Sequence, residues 1–491
     1  MRINGKRFQG IAIDSITLLF VRVVTSLLGL VVTKLLSVHF SLEEYGTYSQ
    51  GMLIVTTTSS IIIFGLTDTL NYFYNKSSDL NEKRDYISTI FSIQYVLGLL
   101  SAILILVIQN PIIRYFNNEQ LRGIIIIVAW LPLLQNLIPM LQVLFVSAGK
   151  AKLIAIRNLV ISIARLVAVI AACYITKNIV HIFYVLLLLD IGQVVFFFYL
   201  YSKMEYPIRI KHTNFRMLKP VLKFSIPMTV YILTNALSRD LDKYVISFMS
   251  DTETLAIYSN SAKILPFDLV TSAFITVLIP IITRLIGSHR YDKAKDAYKA
   301  YLRLGYIATW IMAFGAVVLS RELMVLLYDA KFLPGLSVFI VYLFVDMIKF
   351  ANPFIILAAK GKTSILMKCS ITALVVNLIF NILSYKILGM LGPALVTLVV
   401  TFGLTFTLLF FGASEINTSI LNLFNWKEMG LIILELAIVG TLVFLLDRNI
   451  GTAIPSDSLR LIVCYAIYGL CMLGLNYKRI MACLKDINKL K

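Results

Sequence analysis

Charged residues are scarce in this sequence, and their scarcity excludes a water-soluble globular protein. Only 14% of the 491 residues are Asp, Glu, Lys or Arg, whereas 59% are hydrophobic and the mean hydropathy is +0.85. Soluble domains carry about 25% charged and about 45–50% apolar residues. Apolar runs follow one another from end to end, and no hydrophilic stretch is long enough for a separate soluble domain. The sequence therefore predicts a protein that lies in a lipid bilayer along its whole length.

Cysteine and histidine are also few, and their placement indicates no catalytic or metal site. The five cysteines lie in apolar runs or near the basic C-terminus without paired spacing, which argues against a disulfide framework and a zinc site. The four histidines are scattered, without a carboxylate at metal-binding spacing. Lys360–Thr363 resembles the end of a phosphate-binding loop, but Ile356 stands where the first glycine is required. We therefore expect neither an enzyme nor a bound cofactor.

About fourteen apolar runs are long enough to cross a membrane, at about twenty residues per crossing. They lack the alternation of an outer-membrane strand, and a helix satisfies its own backbone hydrogen bonds in hydrocarbon. The predicted fold is an all-α polytopic bundle. The expected spans lie near residues 11–38, 47–71, 87–109, 123–146, 153–175, 180–201, 221–248, 255–283, 304–320, 335–358, 363–385, 389–412, 428–447 and 460–477.

The positive charge of the chain predicts its orientation. The net charge is +19, which in a soluble protein would suggest a nucleic-acid partner, but in a membrane protein marks cytoplasmic loops. Most Lys and Arg outside the spans lie in loops on the same side as the N-terminus, and few lie in the alternate loops. We therefore expect both termini in the cytoplasm, no nucleic acid, and a first apolar run that is retained as a span rather than cleaved as a signal peptide.

Two short motifs recur at nearly the same offset. Tyr45–Ser49 opens the second span after an acidic outer loop, and Leu255–Ser259 opens the eighth in the same way. Ser147–Lys150 precedes the fifth span, as Ala359–Lys362 precedes the eleventh. Spans one to six are thus expected to repeat as seven to twelve. An even number of spans per repeat predicts two lobes related by an axis along the membrane normal, with a substrate path in the cleft between them.

This repeat predicts three parts of the chain. Residues 1–202 would form an N-lobe of spans one to six, and residues 203–414 a C-lobe of spans seven to twelve. Residues 415–491 would add two further spans and a basic cytoplasmic tail.

Several charged residues lie inside the predicted spans, where each costs about 2.5–3.5 kcal/mol at a helix centre. Most must therefore face water or an opposite charge. Arg239 with Asp242, and Asp346 with Lys349, are three residues apart and close enough to pair on a helix surface. These pairs would either be structural or belong to a functional site, and the sequence leaves both readings open.

Arg22 differs from these residues because no acidic residue stands three or four positions away. It continues a polar stripe of Ser15, Ser26 and Thr33 in the first span, which predicts that this face lines a cavity.

A second stripe, in the seventh span, contains Asn235, Ser238, Arg239 and Asp242, and Lys263 precedes Pro266 in the eighth. We expect Arg22, Arg239 and Lys263, together with Arg165, to form a cationic chamber between the lobes. Guanidinium groups bind phosphate oxygens with paired hydrogen bonds, and a low dielectric strengthens the attraction, so the chamber would suit an anionic head group. The alternative is that these cations only balance Asp68 or Asp190.

Several segments resemble the polysaccharide biosynthesis and export family of lipid-linked oligosaccharide flippases, often called Wzx-type. This family belongs to the MOP superfamily, which also contains the multidrug and toxic compound extruders. The resembling segments are Glu44–Tyr48, Phe224–Pro227, Asp242–Ile246, Ile257–Lys263, Asn377–Asn381 and Leu388–Thr397.

The resemblance implies a protein that moves a polyprenyl-diphosphate-linked glycan, such as an O-antigen, capsule or exopolysaccharide unit, across a bacterial inner membrane by alternating access. It implies that Arg22, Arg239 and Lys263 line the cavity. It also implies that membrane lipids and other glycan assembly proteins are partners of the protein. Coupling to an ion gradient through Asp68 or Asp346 is a hypothesis, since no family motif covers either residue.

Two other functions stay open. A cation-coupled multidrug exporter would need an acidic, aromatic cavity, which the basic residue Arg22 disfavours. A membrane-embedded glycan polymerase would need a large outer loop with catalytic residues, and the predicted outer loops are short.

Overall fold

The computed structural model describes residues 5–77, 79–203, 208, 212–267, 269–450, 454 and 456–489. Each of the fourteen predicted spans coincides with one helix or with two consecutive helices. Within the described residues, twelve helical segments are long and apolar enough to cross a membrane. The other two predicted spans fall on helices whose side chains are described only in part. The prediction of an all-α, multi-spanning protein is therefore confirmed, with fourteen as an approximate number of spans.

The helices belong to two compact units, and the first comprises Met1–Asp240 and Ser247–Ala256. Its helices are α1 (Gly5–His39), α2 (Leu42–Ile62), α3 (Leu66–Lys76), α4 (Leu80–Val107), α5 (Gln109–Phe116), α6 (Ile125–Ser147), α7 (Ala151–Ala171), α8 (Ile179–Ser202) and most of α9 (Phe215–Met249). Helix α6 is apolar around nearly its whole circumference, and it packs against α2, α3, α4, α7 and α8. About two thirds of its residues are buried, so α6 forms the centre of this unit.

The second unit comprises Leu241–Ile246 and Ile257–Lys491. Its helices are the end of α10 (Thr252–Ser261), α11 (Leu269–Gly287), α12 (Tyr291–Val318), α13 (Ser320–Leu327), α14 (Leu336–Ile348), α15 (Phe354–Ala359), α16 (Thr363–Leu388), α17 (Leu391–Glu415), α18 (Trp426–Ile450) and α19 (Asp457–Lys489). Helix α12 is the central element, and it packs against α11, α14, α18 and α19. Short 3-10 or π-helical turns lie at Glu119–Gly123, Ala172–Thr176, Ala330–Gly335 and Ile420–Leu423.

Ion pairs join the two C-terminal helices, α18 and α19, to each other and to α12 of the same unit. The Arg303 Nε atom lies 2.7 Å from the Glu428 carboxylate, which connects α12 to α18. Arg479 of α19 lies 2.7 Å from Glu435 of α18. A buried carboxylate without a partner is strongly destabilising, so each of these arginines allows an acidic residue to lie inside a membrane-spanning helix.

Three predicted spans are broken within their length in the part of the chain that the structure describes. The second span divides into α2 and α3 at Phe64 and Gly65, whose φ angles are 46° and 61°. The eighth span divides between α10 and α11, and the tenth between α14 and α15. Hydropathy averaged over about twenty residues does not reveal such breaks, because the average runs across both helices.

Polar side chains add hydrogen bonds to carbonyl groups on both sides of the first of these breaks. The Asn136 side chain of α6 donates a hydrogen bond to the carbonyl of Ser59 at 2.9 Å. The Thr69 hydroxyl donates to the carbonyl of Gly65 at 2.8 Å. Both carbonyls also accept a helical backbone N–H, from Ile63 and from Thr69, so the side chains supplement the helical bonds at the two helix ends.

Close approach of two backbone segments predicts the effect of replacing Gly46 in α2. A Cβ atom on Gly46 would lie 2.2 Å from the carbonyl oxygen of Thr252, which belongs to the same unit. Gly46→Ala should therefore destabilise this unit by about 1–3 kcal/mol, as overpacking does elsewhere. Thermal unfolding of the purified protein in detergent measures the effect.

The matched control is Gly29→Ala in α1, where a Cβ atom would meet nothing within 4 Å. This variant should unfold at the same temperature or higher, because Ala favours helix more than Gly. Equal unfolding temperatures for the two variants would contradict the close packing at Gly46.

Candidate functional site

Arg22 lies on an exposed face of α1. Its guanidinium forms no ion pair with any carboxylate of the described residues. Of the stripe that the sequence indicated, Thr33 is buried and bonds to the backbone of Gly29, whereas the side chain of Ser15 lies outside the described residues. Arg22 is therefore an exposed cation within an apolar helix.

Arg165 of α7 has a counter-ion within the first unit. Its guanidinium lies 3.9 Å from the carboxylate of Asp190 in α8, which is only 2% exposed. Asp190 also accepts hydrogen bonds from Gln135 at 3.3 Å and from Gln193 at 3.0 Å. The structure thus assigns Asp190 to Arg165 and not to Arg22. The Arg165 side chain is still 41% exposed, so the ion pair leaves part of its guanidinium open.

The predicted pair of Arg239 with Asp242 does not form. Arg239 lies instead 3.1 Å from the carboxylate of its neighbour Asp240, and its side chain is 54% exposed. Asp242 is 1% exposed and accepts hydrogen bonds from the hydroxyls of Tyr258, at 2.8 Å, and of Tyr342.

The Asp242 contacts were missed from the sequence because Tyr342 is distant along the chain. In the sequence, only the presence of Tyr258 and Tyr342 in apolar runs indicates these contacts, since a phenol in a membrane needs a hydrogen-bond partner. The side chain of Asn235, the first polar residue of the predicted stripe, lies outside the described residues.

Lys263 lies in the non-helical segment between α10 and α11 and is partly buried. Asp346 at the end of α14 supports this segment, because its carboxylate accepts the backbone N–H of Leu265 at 2.9 Å. Asp346 also pairs with Lys349 at 3.6 Å, as the spacing of the two residues predicted. Asp346 thus positions the backbone two residues from Lys263.

Asp68 occupies the first turn of α3, just after the break at Gly65, and it is exposed. The N-terminus of a helix stabilises a negative charge, since its first N–H groups point outward. The break therefore allows a carboxylate to lie within the second predicted span. Each unit thus contains a broken helix beside a charged residue, Asp68 in the first and Lys263 in the second.

The four predicted cations are divided between the units. Arg22, Arg165 and Arg239 belong to the first, and Lys263 to the second. Within their own units, Arg165 and Arg239 contact carboxylates, whereas Arg22 has no acidic partner among the described side chains.

Comparison with known proteins identifies the family. Residues 31–336 match the model of a family described as polysaccharide biosynthesis protein. The probable lipid II flippase MurJ of Rickettsia prowazekii (strain Madrid E) is 24% identical over 230 residues, which are 43% of this chain and 44% of that protein. The match therefore spans less than half of the length of that relative.

Solved structures agree with this fold at low sequence identity. A lipid II flippase MurJ in an inward closed conformation superposes with a TM-score of 0.67 and 15% identity, covering 95% of this chain and 100% of its own. An inward-facing multidrug resistance MATE family transporter of the MOP superfamily gives a TM-score of 0.70 and 12% identity, covering 82% and 98%.

These relatives are flippases and transporters rather than enzymes, as the absence of catalytic motifs led us to expect. The resemblance that the sequence motifs indicated is confirmed. Because the family model covers more than half of its length, this multi-pass membrane protein belongs to the polysaccharide biosynthesis protein family.

Proposed function

We propose that the protein is a flippase that moves a polyprenyl-diphosphate-linked oligosaccharide from the cytoplasmic to the outer leaflet of a bacterial inner membrane. The family match supports a role in polysaccharide biosynthesis, and the relative MurJ is named as a flippase of a lipid. The MurJ structure covers more of this chain than the MATE structure does, which supports a MurJ-like arrangement of helices. The excess of basic loops supports cytoplasmic termini.

The observation that carries this proposal is the exposed guanidinium of Arg22 within an apolar helix. A charge inside a membrane span is costly, so it persists where it faces water or a ligand of opposite charge. A diphosphate is a compact anion that offers several oxygens to paired guanidinium hydrogen bonds. Arg22 would therefore bind the diphosphate, which is common to lipid-linked oligosaccharides whatever their sugars.

Arg165, Arg239 and Lys263 complete the proposed binding set. Arg165 and Arg239 each keep a large exposed fraction beside their carboxylates, so a phosphate oxygen can reach them without displacing the ion pair. Lys263 lies in non-helical backbone between α10 and α11. A set with two paired arginines holds the substrate less tightly than four unpaired cations would, which favours release after translocation.

We propose Asp68 and Asp346 as the residues that couple transport to an ion gradient. Asp346 holds both the Leu265 backbone and the Lys349 ammonium, so neutralising its charge would weaken the support of the segment that carries Lys263. Asp68 is exposed at a helix start and free to exchange a cation or a proton with water.

Arg22→Ala should lower glycan export strongly while leaving the amount of folded protein unchanged. Loss of a charge-assisted hydrogen bond costs about 1.5–3 kcal/mol, or a roughly ten- to hundredfold loss of affinity for the diphosphate. Translocation of a fluorescent polyprenyl-diphosphate oligosaccharide into the outer leaflet of proteoliposomes measures the effect.

Two further variants serve as controls for Arg22. Arg22→Lys should keep part of the activity, since lysine keeps the positive charge but cannot donate the paired hydrogen bonds of a guanidinium. Arg122→Ala, outside the predicted spans and paired with Glu119, should leave translocation unchanged. Normal flipping by Arg22→Ala would refute the role of this residue, and resistance to cationic drugs without glycan transport would favour a multidrug exporter.

Asp346→Asn separates coupling from structural support. An asparagine keeps a carbonyl oxygen for the Leu265 N–H but has no charge to gain or lose. We expect stable protein that still binds the lipid-linked glycan but no longer responds to an imposed ion gradient, as measured in the same proteoliposomes. Gradient-dependent transport at the wild-type rate would exclude Asp346 as the coupling residue, and Asp68→Asn provides the parallel test.

A further inference from the structure

A groove of about 390 Å³ runs along the surface of the first unit between α7 and α8. Its apolar walls include Ile156 and Val160 of α7 and Leu188 and Phe196 of α8. These four side chains are between 47% and 66% exposed, so no other part of the chain covers them. The groove is therefore an open, apolar channel on a membrane-spanning surface.

One cationic side chain, that of Arg157, lines the groove. Arg157 lines it, half-buried, and its guanidinium donates hydrogen bonds to Gln193 and to Asn158 and lies 4.8 Å from the ring of Phe197. The Nε atom of Arg157 is buried without a hydrogen-bond partner among the described residues. A guanidinium that is not fully satisfied in an apolar setting attracts an additional acceptor.

The charges around the groove leave an excess of one positive charge. Arg157 and Arg165 share the single carboxylate of Asp190 through the Gln193 side chain and a direct ion pair. Two exposed lysines, Lys150 and Lys152, stand at the same end of α7. An occupant that complements this surface carries negative charge at one end and an apolar chain at the other.

The depth of Arg157 agrees with a lipid phosphate. Helix α7 and the π-helical turn after it span 26 residues, or about 39 Å, which exceeds the hydrocarbon thickness of about 30 Å. Arg157 lies about 9 Å from the first residue of α7, so its long side chain reaches the level of the head groups.

We propose that this groove binds an anionic glycerophospholipid, with its phosphate at Arg157 and one acyl chain along Val160, Leu188 and Phe196. None of the four proposed diphosphate-binding residues lines the groove, although Arg165 pairs with Asp190 beside it. The proposed occupant is a bilayer lipid rather than the transported molecule. It would hold α7 and α8 together at the membrane surface, since both helices contribute to each part of the groove.

Gly192 allows the groove to be filled without disturbing the fold. It lines the groove, and a Cβ atom there would meet nothing within 4 Å. Gly192→Leu therefore blocks the acyl chain and leaves Arg157 in place, whereas Arg157→Gln removes the charge and leaves the groove open.

The test is native mass spectrometry of the full-length protein titrated with phosphatidylglycerol or phosphatidylcholine. We expect the wild type to prefer phosphatidylglycerol and Arg157→Gln to bind it about fivefold more weakly, with no change for phosphatidylcholine. This factor corresponds to about 1 kcal/mol for one basic residue near a lipid surface. Gly192→Leu should weaken binding of both lipids, and Arg157→Lys should keep most of the preference.

Matched controls are Arg284→Gln, at the exposed end of α11, and Gly474→Leu, an open position on α19. Both should retain wild-type lipid binding. Equal affinity of the wild type for the two lipids overturns the proposal. So does phosphatidylglycerol binding that Gly192→Leu leaves unchanged, because that result would describe an anion site without an acyl chain.

Discussion

The cost of placing charge and unpaired backbone in hydrocarbon is the constraint on which this structure depends. Each intramembrane acidic residue described above has a partner or a helix terminus. Asp190 is held by Arg165 and two glutamines, Asp242 by two tyrosines, and Asp346 by a backbone N–H and Lys349. Against this pattern Arg22 stands out, because it lacks an acidic partner among the described residues. An unbalanced charge at membrane depth is a functional signal, since packing alone does not account for it.

The same constraint explains the broken helices. A break releases N–H and C=O groups that water cannot satisfy inside a bilayer, so polar side chains must replace the missing helical bonds. Asp346 does this for the segment after α10, where its carboxylate accepts the backbone N–H of Leu265. At the break between α2 and α3, Asn136 and Thr69 add hydrogen bonds to carbonyls that the helices already engage. Two of the breaks place a charged residue, Asp68 or Lys263, beside irregular backbone.

Much of the candidate site was accessible from sequence, but its pairing was not. The spacing of Asp346 and Lys349 is a local feature, and the contact it predicted is present in the structure. The cationic chamber around Arg22 stays a prediction. The predicted pair of Arg239 with Asp242 does not form, although these residues are also three positions apart, as Asp346 and Lys349 are. The Asp242 carboxylate accepts a hydrogen bond from Tyr342, a hundred residues away, and Arg239 pairs with its neighbour Asp240.

The sequence by itself determined that this is a helical, multi-spanning membrane protein, because hydropathy over about twenty residues is a local property that the bilayer reads directly. It also determined which residues carry charge at membrane depth. Only the tertiary structure decided where the helices break and which carboxylate each cation meets. Those choices depend on groups brought together from distant helices, as where the Asp346 carboxylate accepts the backbone N–H of Leu265.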